Sequence, residues 1–173
     1  MRSDVAREHS LRDYDSFYRA ELPGVLGCLY SLTGSWPISE DLAQESFLRS
    51  YARWPEVSNL DRPGAWVRRV ALNLAASRFR RLAAEARALV RLSSRTTVAA
   101  ADRLDEDDER FWAAVRSLPR RQGQVVALHY GDDQSLADVA EVLGCAEGTV
   151  KAHLHSARKT LTALLLADQG AGQ

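Results

Sequence analysis

The chain has 173 residues, 46% of them apolar, which excludes wholesale disorder and allows one ordinary domain or two small ones. Lysine plus arginine and aspartate plus glutamate each number 23, so the formal net charge is zero and no global polyanion-binding charge exists. No run reaches the length of a membrane span, and the polar start "MRSDVAREHSLRDYD" lacks the apolar core of a secretion signal, so a soluble cytoplasmic protein is expected.

A first helix is predicted over "YDSFYRAELPGVLGCLYSL", with Phe17, Leu22, Val25, Leu26, Leu29 and Leu32 facing inward. Pro23 lies inside it and is expected to kink or divide it. "TGSWP" closes this element, and Ser39 is read as the cap of a second helix, "EDLAQESFLRSYARW". In that helix Ala43, Phe47, Tyr51 and Trp54 recur at helical spacing and form a predicted buried stripe. The outward face carries Asp41, Gln44, Glu45 and Arg49, which the residues alone read as a solvated surface.

Asp61, Arg62 and Pro63 mark the start of a third helix, "AWVRRVALNLAASRFRRL". Trp66, Val67, Val70, Ala71 and Leu74 can face a core. Arg69, Asn73, Ser77 and Arg80 sit three or four apart on another side, and Arg62, Arg68 and Arg81 widen the positive surface. The zero net charge hides this asymmetry: nine arginines stand between Arg62 and Arg95 against the single acid Glu85. From about Ala83 to Arg110 the texture becomes alanine-rich and charged, which reads as a tether, helical in its first part.

The second half opens with Phe111, Trp112, Val115 and Leu118. Pro119 begins "RRQGQVVALHY", and "GDDQ" turns the chain. Ser135 with Asp138 three residues on is a capping-box pattern. Leu136, Val139, Ala140 and Leu143 form the inward side of that helix, and Gly144 is placed for left-handed geometry at its end. Val150, Leu154, Ala157, Leu161 and Leu165 then give an apolar stripe on a last helix. A capped short helix, a glycine corner and a longer helix make a helix-turn-helix candidate. Glu147, Thr149, Lys151, Ala152, His153 and His155 lie early on its second helix, where side chains reach base edges, and Arg158 and Lys159 are better placed for phosphate. Cys28 and Cys145 sit among apolar neighbours and match no metal spacing.

Three blocks in order give a more specific reading. "SEDLAQESFLRSYARW", "RPGAWVRRVALNLAASRFRR" and "LPRRQGQVVALHYGDDQSLADVAEVLGCAEGTVKAHLHSARKTL" resemble, over roughly Tyr14 to Leu165, the extracytoplasmic-function (group 4) sigma factors of the bacterial sigma-70 family. The resemblance implies an all-α protein of two small helical domains joined by a flexible linker. Sigma region 2 would occupy 12–84, the linker 85–109, and sigma region 4, with the helix-turn-helix, 110–166. It implies no enzyme, no cofactor and no bound metal. The implied partners are core RNA polymerase, through the beta-prime clamp helices and the beta subunit, promoter DNA, and in some cases an anti-sigma factor.

The resemblance also assigns roles. Asp41, Gln44, Glu45 and Arg49 become a polymerase-facing surface, which reverses the solvated reading of that face. Asn73 and its neighbours, Ser77 among them, would hold a flipped minus-10 base, with Arg62, Arg68, Arg69, Arg80 and Arg81 on the adjoining backbone. Glu147, Thr149, Lys151, Ala152, His153, His155, Arg158 and Lys159 would read the minus-35 element. Trp66 is either a stacking platform or core. The acidic run "DEDDE" is either a solubilising tether or a nucleic-acid mimic in a polymerase channel.

The chain departs from its relatives at Ala146, which cannot cap the last helix, a loss of about 1 kcal/mol. It departs again at His153 and His155, which stand where permanent cations are common and point to weaker phosphate affinity or an altered minus-35 preference. Two alternatives remain at this stage. A stand-alone helix-turn-helix regulator of the response-regulator output type shares the "GTVKxHL" pattern but lacks the first two blocks. An enzyme would need His9, His129, His153 or His155 to join Asp, Glu or Cys in a site, and the sequence shows no such grouping.

Overall fold

The computed structural model describes residues 2–90 and 106–170, all of them helical or in short connections. Eight helices follow in order: α1 Arg2–Thr33, α2 Trp36–Ala52, α3 Trp54–Val57, α4 Pro63–Val90, α5 Glu106–Ser117, α6 Arg120–Gly131, α7 Leu136–Leu143 and α8 Glu147–Gly170. The tether predicted from 85 to 109 lies largely outside the described residues. Of its acidic run, Glu106 to Glu109 start α5, and Asp105 is outside them.

In the first half, Val25 and Leu29 of α1 close against Leu42, Ala43 and Phe47 of α2 and Val67, Ala71 and Ala75 of α4. Trp66 is half-buried against this cluster, so here it serves as core. Pro23 sits inside α1 and does not divide it.

Two local expectations change. The second helix starts at Trp36 rather than after Ser39, because Pro37 fits a first turn, where no amide hydrogen is needed. Ser35 is the cap residue, and Ser39 is buried inside the helix, donating to the Ser35 carbonyl at 2.8 Å and meeting Thr33 Oγ1 at 2.8 Å. Tyr51, expected in the buried stripe, is 48% exposed. Its ring stands edge-on to Tyr14 of α1, 4.9 Å between centroids, on the rim of the bundle.

The second half packs Val115 and Leu118, the Val125–Leu128 run of α6, Val139 and Val142 of α7, and Val150, Leu154, Ala157 and Leu161 of α8 into one cluster. Buried Cys28 of α1 and Leu72 of α4 belong to the same cluster. The apolar core of the second half therefore reaches into the first, and α1 and α4 are covered by α6 and α7.

Candidate nucleic-acid interface

The outward face of α2 carries Asp41, Gln44 and Arg49 exposed and Glu45 half-exposed, with Arg49 Nε donating to Glu45 Oε1 at 2.7 Å one turn apart. An exposed pair like this contributes little to stability and leaves both charges available to a partner. Leu48, 55% exposed, and Tyr51 stand among these charges. Behind them a groove of about 400 Å³ is lined by Tyr14, Asp15, Tyr18, Gln44, Phe47, Leu48 and Tyr51. The sequence reading missed Leu48, although it lies four residues from Gln44 and seven from Asp41, on the same helical face.

The long α4 divides into two faces. Val67, Ala71, Leu72, Ala75 and Ala76 are buried, while Asn73, Ser77, Arg80 and Arg81 are exposed. Arg80 donates to Ser77 Oγ at 3.1 Å, and Arg81 lies 3.9 Å from Glu85. The other three arginines expected on the DNA surface are held by the second half. Arg62 pairs with Asp138 and, at 3.2 Å, with Glu141. Arg69 donates to the Val142 carbonyl at 3.0 Å and to the Glu141 carbonyl.

Arg68 is 7% exposed and forks onto Asp132, its Nη2 donating to Oδ1 at 2.9 Å and its Nε to Oδ2, while Nη1 donates to Glu21. Burial alone would lower its pKa. The hydrogen bonds and charge of Asp132, and then of Glu21, outweigh that and hold the guanidinium well above its ordinary value. In this arrangement Arg68 is a buried cation with both partners in place, and it cannot reach a phosphate. The sequence could not show this, because Asp132 lies 64 positions away.

The helix-turn-helix is built as its local sequence dictates. Ser135 Oγ accepts from the Asp138 amide at 3.2 Å, and Asp138 Oδ2 accepts from the Ser135 amide at 3.3 Å, closing the capping box. Gly144 ends α7 with φ 64°, the left-handed conformation that favours glycine. Val150, Leu154, Ala157 and Leu161 anchor α8. That leaves Glu147, Thr149, Lys151, Ala152, His155, Arg158 and Lys159 exposed and His153 half-buried. Lys151 and Glu147 pair at 2.7 Å. Arg158 donates twice to the Tyr130 hydroxyl, at 2.6 and 3.0 Å, with its guanidinium 5.9 Å from the ring centre. Tyr130 was not singled out from the sequence. It follows the Val125–Leu128 run at the end of α6 and is 44% exposed.

Residues 17–85 match the family model for sigma-70 region 2, and residues 108–161 match that for sigma-70 region 4. The extracytoplasmic-function sigma factor SigL of Mycobacterium tuberculosis is 33% identical over 139 residues, covering 75% of this chain and 76% of that relative. This chain belongs to the extracytoplasmic-function sigma factors. SigW of Bacillus subtilis, another member, is 29% identical over 145 residues, covering 76% of this chain and 78% of its own. The fold is also that of the sigma factor RpoE solved with the anti-sigma factor NepR from Bartonella quintana, with a TM-score of 0.73 and 24% identity over 91% of this chain and 99% of that one.

In this sigma factor the region-2 match lies within α1 to α4 and the region-4 match, with the helix-turn-helix, within α5 to α8. It directs promoter recognition by RNA polymerase and is not itself a catalyst. Among the described residues no helix is long and apolar enough to cross a membrane, and no cluster of His, Cys, Asp and Glu could hold a metal ion.

Proposed function

We propose that this sigma factor binds core polymerase through the α2 face, opens the minus-10 element along α4 and reads the minus-35 element with α8. The observation that carries this is the division of α4, whose core-facing side is fully occupied while Asn73, Ser77, Arg80 and Arg81 project from the other. Melted DNA needs positive charge and polar groups that take an unstacked base, and this ridge offers both along one helix.

On α2, Asp41, Gln44, Glu45 and Arg49 supply charge complementarity, and Leu48 and Tyr51 supply an apolar centre of the kind that dominates binding energy. On α8, Thr149, Lys151, Ala152 and His155 occupy the first exposed turns, where base edges are read, and Arg158 and Lys159 meet phosphate. His153 is half-buried and contributes less to this surface than its neighbours. These partners place the site of action in the cytoplasm.

An anti-sigma factor is a further partner under this reading. A groove of about 450 Å³ between the halves, floored by Leu32, Leu72 and Val115 and edged by Arg80, Arg116 and Arg120, suits a helix with an apolar face and acidic flanks.

The test is reconstituted transcription with core polymerase over a genomic promoter library. Charge reversal at Asp41 or Glu45 weakens polymerase binding while the region-4 duplex contact persists. Replacing Asn73 impairs opening more than closed-complex formation. Normal transcription by both variants at limiting protein concentration refutes the assigned surfaces.

A further inference from the structure

We propose that the groove between α1, α4, α5 and α6, with a smaller polar cavity beside it, binds an aliphatic phosphate monoester: a compact anionic head on an alkyl or prenyl chain. This small-molecule site stands apart from the promoter and polymerase surfaces.

The groove takes the chain. Its volume of about 450 Å³ is in the range of small-ligand sites. Leu32, Leu72, Ala75, Val115 and Leu118 line it, and Phe79, 43% exposed, stands at its side. These walls are mostly aliphatic and come from separate helices, so a chain is contacted on several sides. Each methylene buried there strengthens binding about fourfold.

The cavity takes the head. It holds about 130 Å³ and is lined by Arg69, Asn73, Arg120, Arg121 and Gln124, with Val142 and Leu143 of α7 at its far side. Groove and cavity adjoin along Leu72, Arg120 and Gln124, which line both. Among the described residues, no Asp or Glu lines either of them. Arg69 is fixed at the cavity wall by its bonds to the Val142 and Glu141 carbonyls, so its charge is in place before a ligand arrives. Arg120 makes no hydrogen bond or ion pair with a described residue.

Gln124 is the second pointer to a ligand. It is 4% exposed, and its side chain has one contact, a long bond accepted from Arg121 at 3.5 Å. Its amide N–H groups meet no described residue. A buried carboxamide that donates to nothing is costly until an acceptor arrives. The guanidinium groups of Arg69, Arg120 and Arg121 around one small space exceed what the single charge of a carboxylate balances. They match the near-double charge and terminal oxygens of a phosphate monoester. An acidic helix, about 10 Å across, can lie along the groove but cannot enter the cavity. The cavity therefore assigns a compact head, and ligand and helix would exclude each other from the groove.

The test is isothermal titration of the full chain with decyl phosphate below its micelle concentration, and with hexyl phosphate, decanoate and inorganic phosphate. Two exposed positions are varied, Arg120→Gln beside the head and Ala83→Phe at the groove, and circular dichroism checks that helix content holds. A single decyl phosphate per chain is expected, bound at least about tenfold tighter than hexyl phosphate or decanoate. Arg120→Gln weakens it about tenfold. Ala83→Phe weakens it to a similar degree and leaves inorganic phosphate unchanged.

Absence of saturable decyl phosphate binding overturns the proposal. Equal affinity for decyl and hexyl phosphate does so too, since the groove is then unused, and equal affinity for decyl phosphate and decanoate removes the cavity. Unchanged affinity in either variant, with helix content retained, places the ligand elsewhere, and binding of several equivalents with loss of helix marks a detergent. A dimer seen by sedimentation and dissociated by Ala83→Phe would mean that a second copy covers the groove, and the proposal fails. Promoter-directed transcription with core polymerase is measured separately, so none of these results bears on the sigma-factor reading.

Discussion

A double-mutant cycle on Arg68 and Asp132 tests whether the buried fork couples the two halves energetically. Arg68→Met strands Asp132, whose side chain is 2% exposed, and leaving a buried charge without its partner costs about 3–5 kcal/mol. Asp132→Asn is gentler. The amide oxygen still accepts from one guanidinium N–H, and Glu21 still balances the charge, so the loss is that of a charge-assisted hydrogen bond, about 1.5–3 kcal/mol. With both substitutions present, no ionised Asp132 remains to be stranded. The double variant therefore costs less than Arg68→Met alone, so the coupling is at least the whole cost of Asp132→Asn, about 2 kcal/mol or more. Urea unfolding of the four proteins measures it. Against a typical domain stability of about 5–15 kcal/mol these are large changes. Costs that add within about 0.5 kcal/mol would refute the reasoning, because they would mean that the fork is solvated and the halves are not joined through it.

Three further outcomes follow from the geometry. Ser135→Ala removes the acceptor for the Asp138 amide and lowers stability by about 1 kcal/mol, seen as a reduced Tm. Tyr130→Phe frees Arg158 from its two hydroxyl contacts and weakens minus-35 duplex binding about threefold while Tm holds; equal affinity for the two proteins would show that Tyr130 does not position Arg158. At pH 8, Cys145 is alkylated in the native protein and Cys28 is not, because burial first, and the Asp132 charge second, push the Cys28 thiol up against the smaller opposing effect of Arg68. A thiol raised in the folded state stabilises below its unfolded value of about 8.5, and that contribution is lost as pH rises beyond it, so urea midpoints should fall on the alkaline side.

What the sequence revealed was mostly local. The capping box at Ser135, the left-handed Gly144 and the stripe from Val150 to Leu161 depend on residues within a few turns, and each stands where the spacing put it. Ser39 was misread because two serines competed for one cap and Pro37 favoured the earlier start. Tyr51 sits at core spacing, but at the rim of the bundle its ring packs on Tyr14 and still faces water. The arginines at and before the start of α4 were legible as a positive face, yet the second-half partners of Arg62, Arg68 and Arg69 lie 64 to 79 residues downstream, beyond the reach of helical periodicity. Gly24 and Gly27 did leave a signal: two costly residues three apart within one helix indicate a backbone that something must approach closely.

The close contact between Gly27 of α1 and the Gly131 carbonyl of α6 also bears on how this protein can be adjusted over generations. A glycine contact has no rotamers and no volume to trim, and the smallest added carbon meets an oxygen at 2.5 Å. It behaves as a step rather than a dial. Graded adjustment is left to the exposed rim, where Arg62 and Glu141 meet at 3.2 Å and a single charge is worth tenths of a kcal/mol to about 1 kcal/mol. How tightly the halves meet can drift there in small increments while the Gly27–Gly131 contact keeps the helix spacing fixed.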